Sequence, residues 1–156
     1  MKRYVLGFCF GPSLKTVVLI KKTRPAWQKG RLNGVGGHIE NGETPHAAMA
    51  REFKEEASFE NSLEWVQFGL LHGDGWEVHL FHAHNKVIPH PYNLSDEGEV
   101  SAHHLDRVLG KETSKGASPL PNLRYLIPMA LNHHSGEDKA RFFNILESNE
   151  QCSSTG

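Results

Sequence analysis

Residues Gly37 to Phe59 read GHIENGETPHAAMAREFKEEASF. Thr44-Pro45 is a helix start. The threonine oxygen can accept a hydrogen bond from a free N–H of the first turn, and the fixed φ of proline suits the first helical position. The periodicity predicts a helix to about Ala57, with Met49, Ala50, Phe53 and Ala57 as its apolar arc. Glu52, Glu55 and Glu56 lie three and four residues apart, on a face expected to point away from that arc. Three carboxylates on one face repel one another, and a hard divalent cation such as Mg²⁺ relieves the repulsion by taking oxygen ligands. A merely solvated acidic face is the simpler alternative. Just upstream, Asn33 to Gly37 (NGVGG) is rich in glycine, which lets backbone approach a ligand closely.

Outward from this stretch, the charge is uneven. Lys21, Lys22, Arg24, Lys29 and Arg31 precede the acids, although the whole chain of 156 residues carries a net charge of only −1. Cations beside a carboxylate cluster could hold a polyphosphate while the acids hold its metal. The near-neutral balance gives no global attraction to a nucleic-acid polymer or an anionic membrane, so neither is expected as a partner. With 38% hydrophobic and 22% charged residues the composition is that of a globular protein. Two cysteines, Cys9 in an apolar run and Cys152 in a polar tail, do not make a disulfide framework and fit a reducing cytoplasm. No stretch reads as a signal peptide or a membrane span. The eleven histidines include no HxxxH spacing, and no dedicated histidine metal site is expected.

Along the chain, Tyr4–Phe10 and Thr16–Ile20 read as strands joined around Gly11–Lys15, and Lys21–Asn33 as a polar loop. Leu63–Leu71 and Glu77–Ala83 read as a second antiparallel pair across Gly73-Asp74-Gly75. Pro89–Gly98 reads as a loop, Glu99–Leu109 as a short strand or helix, and Lys111–Pro121 as a mobile connection. Asn122–His133 is helix-like but contains Pro128, so a helix there either kinks or starts near Pro128. Asp138–Glu147 is assigned as a last helical element. The expected organisation is one domain over residues 1–148 with a polar tail at 149–156.

Gly37, five residues, Glu43, seven residues and then Arg51-Glu52-Phe53-Lys54-Glu55-Glu56 closely resemble the Nudix box, with every fixed position through Glu56 in place. The family's final glycine is Ser58 here, which concerns the helix end and not the metal chemistry. Arg31 to Gly37 (RLNGVGG) also resembles the entry motif of MutT-like nucleoside triphosphate pyrophosphohydrolases, with Leu32 in place of a tryptophan. The resemblance implies an α/β fold, the Nudix α/β/α sandwich with a mixed sheet between helices. It further implies a Mg²⁺-dependent hydrolase (Mn²⁺ as a substitute) that splits a nucleoside triphosphate into monophosphate and pyrophosphate, with damaged or oxidised nucleotides as the leading target. ADP-ribose, dinucleoside polyphosphates and dihydroneopterin triphosphate are the alternative substrates, and a non-catalytic nucleotide-binding module is the alternative class.

The same resemblance assigns roles. Glu52, Glu55, Glu56 and the carbonyl of Gly37 are the implied metal ligands. Arg51 is implied to hold a glutamate by pairing with Glu55 or Glu43. Glu55, Glu56 and Glu97 are the candidates for general base. Lys21, Lys22 and Arg24 would stabilise the leaving pyrophosphate. Asn33 and Asn122 are placed against the base edge, where an amide offers both donor and acceptor. Trp27, Phe8 and Leu120 are candidates to sandwich the base.

Overall fold

The computed structural model describes residues 1–58, 63–86, 93–110, 117–136 and 143–147. The readings made for Phe59, Cys152 and the polar tail, and parts of those for 89–92, 111–116 and 138–142, lie outside the described residues. The elements are β1 (Lys2–Phe10), β2 (Thr16–Lys22), β3 (Leu32–Asn33), β4 (Val35–His38), α1 (Pro45–Ala57), β5 (Val66–Gly73) and β6 (Trp76–His84). They continue with β7 (Asn93–Ser95), β8 (Gly98–His104), α2 (Leu105–Leu109), α3 (Leu123–Ser135) and β9 (Phe143–Leu146). Among the described residues they build one mixed sheet in the order β7-β8-β2-β1-β6-β5-β9, in which β1–β6 and β5–β9 are parallel pairs and the rest antiparallel.

Alternation along the strands sends apolar side chains to both faces, so both faces must be covered. One face packs on α3 and α2 through Leu6, Phe8, Phe10, Leu19, Phe68, Leu80, Leu123, Leu126 and Ile127. The other packs on α1 through Val5, Cys9, Val18, Ile20, Val35, Met49, Phe53 and Phe81. This is an α/β/α sandwich, as expected. Burial pushes the Cys9 thiol up to about 12, so it packs as a small apolar group. His82 and His133, both buried, meet across the α3 interface with Nε2 and Nδ1 2.8 Å apart.

The feature that positions the site is a split in the sheet. β1 and β2 pair directly only at Cys9↔Val18 and Phe10↔Val17. Farther along, β1 pairs with β4 (Tyr4↔His38 to Gly7↔Val35) and β2 with β3 (Ile20↔Asn33, Lys21↔Leu32). The glycine-rich stretch is thus wedged between the two strands, and the supposed loop from Lys21 onward begins and ends as strand. Leu32 also holds the connection before α3, donating to Ser118 O at 2.9 Å and accepting from Leu120 N at 2.9 Å.

Two further readings are corrected and a third is narrowed. Phe143–Leu146 is a strand, not helix, added in parallel to β5 (Gly69↔Phe143 to His72↔Leu146). Ala50 is exposed and Ala48 takes its place in the buried arc of α1. Pro128 lies inside α3, which starts before it and runs through it. The proline penalty of about 3 kcal/mol is outweighed because Leu123, Leu126, Ile127 and Ala130 of the same helix are fully buried. Each of the larger three contributes about 1.5–3 kcal/mol. Among the described residues no helix is long and apolar enough to cross a membrane.

Candidate functional site

Thr44 Oγ1 accepts from Ala47 N at 3.2 Å and Pro45 opens α1, so the helix starts where the sequence places it. It ends on Ser58, which takes the left-handed conformation itself (φ 50°, ψ 38°). The missing glycine therefore does not move the helix end. Arg51 is the organising residue of α1. Its Nε and Nη2 hold the Glu43 carboxylate at 2.9 and 3.0 Å, its Nη1 holds Glu52 at 2.8 Å and Glu55 at 3.3 Å, and its Nη2 also donates to His38 O at 2.9 Å. Such bidentate, charge-assisted geometry fixes rotamers. Arg51 stands behind the acids and does not line the cavity they face, so its place is that of a positioning group.

Glu52 and Glu56, four residues apart, turn toward the strands, and Glu55 turns outward. This corrects the expectation that all three carboxylates point away from the buried arc, since Glu56 is itself buried. Glu52 lies so close to Gly37 that any Cβ there would meet its carboxylate at 2.5 Å, which explains the glycine. Burial raises the pKa of Glu52, offset by Arg51. Glu56 is 4% exposed, and its Oε2 has no hydrogen-bond partner among the described residues. Burial above all lifts its pKa to about 7, with Lys22 and the Gly36 N–H opposing and Glu52 and Glu97 adding to it.

Glu97 comes from the turn between β7 and β8. It is paired with Arg24, whose Nε lies 3.1 Å from Oε1, and with Lys22, whose Nζ lies 3.5 Å from Oε2. The Arg24 guanidinium is the main cause that holds its carboxyl below the usual range. Glu56 thus sits closer to neutrality than Glu97.

The acids, Gly37, Lys22, Arg24, Glu97, Trp27, Asn33, Leu120 and Asn122 all line one cavity of about 1260 Å³. Asn33 Oδ1 accepts from Gly34 N at 2.8 Å, and its Nδ2 lies 3.4 Å from Gln28 Oε1. Asn122 Oδ1 is buried with no partner among the described residues. Two sequence assignments fail. Lys21 is exposed and points to the opposite face of β2; Lys22, which shares its face with Ile20, reaches the cavity instead. Phe8 is fully buried in the α3-side core, its ring 6.5 Å from that of Phe68, and cannot meet a ligand. Tyr4, Trp76, Val78, Tyr125 and Glu147 also line the cavity and were not singled out from the sequence.

A hard cation is the ligand that the family resemblance implies. Among the described residues no three His, Cys, Asp or Glu side chains already stand as a metal-holding group. The donor chemistry nevertheless fits: the set is all oxygen, one buried carboxylate oxygen of Glu56 is orphaned, and Glu52 is pressed against the Gly37 backbone.

The NUDIX domain model matches residues 2–123. The chain belongs to the NUDIX domain family. It thereby stands with the Nudix proteins that act on nucleotide anhydrides. Several solved structures share the fold. A NUDIX hydrolase from Nitrosomonas europaea superposes with a TM-score of 0.65 at 19% identity, over 94% of this chain and 78% of that one. A MutT structure from a study of Aliivibrio salmonicida and Vibrio cholerae gives 0.58 at 18% identity, over 84% and 98%. The NUDIX domain of Shewanella oneidensis NrtR, complexed with ADP ribose, gives 0.62 at 16% identity, over 85% and 87%. No curated protein matches. At these identities the likeness to solved structures speaks for the fold of this NUDIX domain and not for its substrate.

Proposed function

We propose that this NUDIX domain is a divalent-cation-dependent pyrophosphohydrolase of nucleoside triphosphates of the MutT-like kind, releasing nucleoside monophosphate and pyrophosphate. The observation that carries the reading is the orphaned, buried carboxylate oxygen of Glu56 beside Glu52, facing a cavity whose other wall carries Lys22 and Arg24. Glu52, Glu56 and the Gly37 carbonyl, with Glu55 at the rim, would hold Mg²⁺. When bound, that ion neutralises phosphate charge and lowers the pKa of a water.

The chain's own groups do the rest. Arg51 keeps Glu52 in its rotamer. Lys22 and Arg24, now tied to Glu97, exchange that carboxylate for phosphate oxygens when a substrate enters. Glu56 accepts the proton of the attacking water. Asn33 and Asn122 face the nucleoside, and Trp27, 68% exposed in the turn Ala26–Gln28, offers a ring at the cavity mouth. Oxidised-guanine nucleotides are the leading substrates within this reading.

A panel of normal and oxidised nucleoside triphosphates together with ADP-ribose, assayed for pyrophosphate and phosphate release with and without Mg²⁺, tests the proposal. Mg²⁺-dependent pyrophosphate release is expected. Glu56→Gln should cut turnover by at least ~10²-fold. Absence of turnover on every compound would leave a nucleotide-binding module.

A further inference from the structure

One wall of the cavity is built by segments that meet only in three dimensions. Gly73 pairs with Trp76 across the β5–β6 hairpin. A Cβ on Gly73 would meet the Trp76 indole at 1.9 Å, so the ring lies across the glycine. On the other side of β5, His72 pairs with Leu146 of β9, and Glu147 continues that register by donating its N–H to His72 O at 2.8 Å. Glu147, Gly73 and Trp76 therefore occupy one row across three neighbouring strands. Adjacent strands lie about 4.8 Å apart, and the indole spans the gap that Gly73 leaves in the middle. Above the row, Tyr125 of α3 donates its hydroxyl to Glu147 Oε1 at 3.1 Å. Trp76, Leu71, Val78, Tyr125 and Glu147 all line the cavity. Tyr125 and Glu147 lie beyond the residues 2–123 that the family model covers, whereas Leu71, Gly73, Trp76 and Val78 lie within them.

We propose that this row is a guanine-selective base subsite, with the Trp76 indole as stacking platform, Glu147 as the group that reads the base edge, and Gly73 as the positioning residue that lets the indole lie flat. The proposal rests on the nucleotide-hydrolase reading above for the identity of the ligand. An aromatic face accepts any base, so stacking gives affinity without choice. A carboxylate, by contrast, only accepts hydrogen bonds. Of the common bases, guanine alone presents two adjacent donors, its N1–H and its exocyclic amine, and these match the two oxygens of one carboxylate. Thymine presents a single N–H between two carbonyls, which a carboxylate repels. Adenine and cytosine each offer an amine beside a bare ring acceptor. The Tyr125 hydroxyl occupies one lone pair of Oε1 and holds the carboxylate in place, leaving the rest of its acceptor capacity to the ligand. Burial above all, with the Glu147 charge adding to it, raises the Tyr125 pKa, so the phenol keeps its proton. Oxidation at C8 leaves the N1/N2 edge unchanged. This subsite therefore selects guanine and 8-oxoguanine alike, and any choice between them falls to other groups.

Calorimetric titration of the full chain with dGMP, dAMP, dCMP and dTMP tests this independently of catalysis. The expected order puts dGMP at least about ten-fold tighter than the other three, the range that one good paired edge contact supplies. Glu147→Gln should erase that preference while leaving dAMP binding within about two-fold. Trp76→Phe and Gly73→Ala should weaken all four nucleotides by similar factors and keep the order; if Gly73→Ala does not fold, Trp76→Phe carries this arm. Equal affinities for the four monophosphates, no binding of any of them, or an unchanged preference in Glu147→Gln would overturn the inference. A wild-type chain that prefers dGMP yet hydrolyses no triphosphate would sink the hydrolase reading and leave this subsite standing.

Discussion

A single backbone conformation tests how far one residue departs from the family pattern. Ser58 ends α1 with φ 50° and ψ 38°, in the left-handed region where a side chain costs roughly 1–2 kcal/mol. Glycine removes that cost but loses part of the gain to the greater entropy of the unfolded chain. Ser58→Gly should therefore raise stability by about 0.5–1 kcal/mol, seen as an increase of about 2 °C in the unfolding midpoint, with turnover unchanged. A lower midpoint would mean that the Ser58 side chain is itself holding the helix end. At this scale much was legible. The Arg51 pairs with Glu43 and Glu55 follow from spacings of eight and four residues, while the Gly37–Glu52 contact needed the fold to bring the strand against the helix. Which of Lys21 and Lys22 reaches the cavity was not legible. Both are lysines at the end of one strand, and which of them faces the acids is fixed by pairing of β2 with β3 and β8, which the local sequence does not encode.

At the scale of elements, α1 carries the acids and its start is held by one side chain. Replacing Thr44 by alanine removes the acceptor for Ala47 N and should cost about 1 kcal/mol of stability. Because Arg51, about two turns into the helix, is clamped to Glu43 just before it, KM and kcat should stay within two-fold. Chemical denaturation beside steady-state kinetics measures both. A large loss of kcat with unchanged stability would show instead that the cap sets the position of the glutamates. The helix was readable because start signal, apolar period and acids coincide in one short stretch. Phe143–Leu146 was not, since four residues alternating between half-buried and exposed have no decisive period of their own. They become a strand because the free edge of β5 offers hydrogen bonds to pair with. For the same reason the Trp76 wall of the cavity escaped notice, since Trp76, Tyr125 and Glu147 come from three separate parts of the chain that only the finished fold assembles.

For the whole molecule, the buried acid sets stability against function. The Glu56 carboxyl rises from the usual 4.5 to about 7 in the folded chain, chiefly through burial. Between those two values the folded state holds a proton that the unfolded state has lost, so the unfolded chain binds fewer protons and stability falls as pH rises. Below pH 4.5 both states are protonated and the effect is absent; above about 7 both are charged and the loss is complete, roughly 3 kcal/mol. Glu43, Glu77 and Glu97 have depressed values and act in the opposite sense. Their stabilisation is full above the unfolded carboxylate range and disappears only as pH falls below it, so the two windows do not overlap. With chelator present, the unfolding midpoint of the wild-type chain should therefore drop between pH 5 and pH 8. Glu52, raised by burial in the same direction, adds to that drop, and His103, lowered by burial, opposes it. In Glu56→Gln the share due to Glu56 should be lost and the drop shrink, leaving the variant more stable than wild type at pH 8 although its turnover is lost. Mg²⁺ added at pH 8 should restore the wild-type midpoint by binding the folded state and leave the variant nearly unmoved. Parallel midpoint curves for the two proteins across this range would mean that the buried carboxylate does not carry the charge assigned to it, and its place as cation ligand and proton acceptor would fall with it.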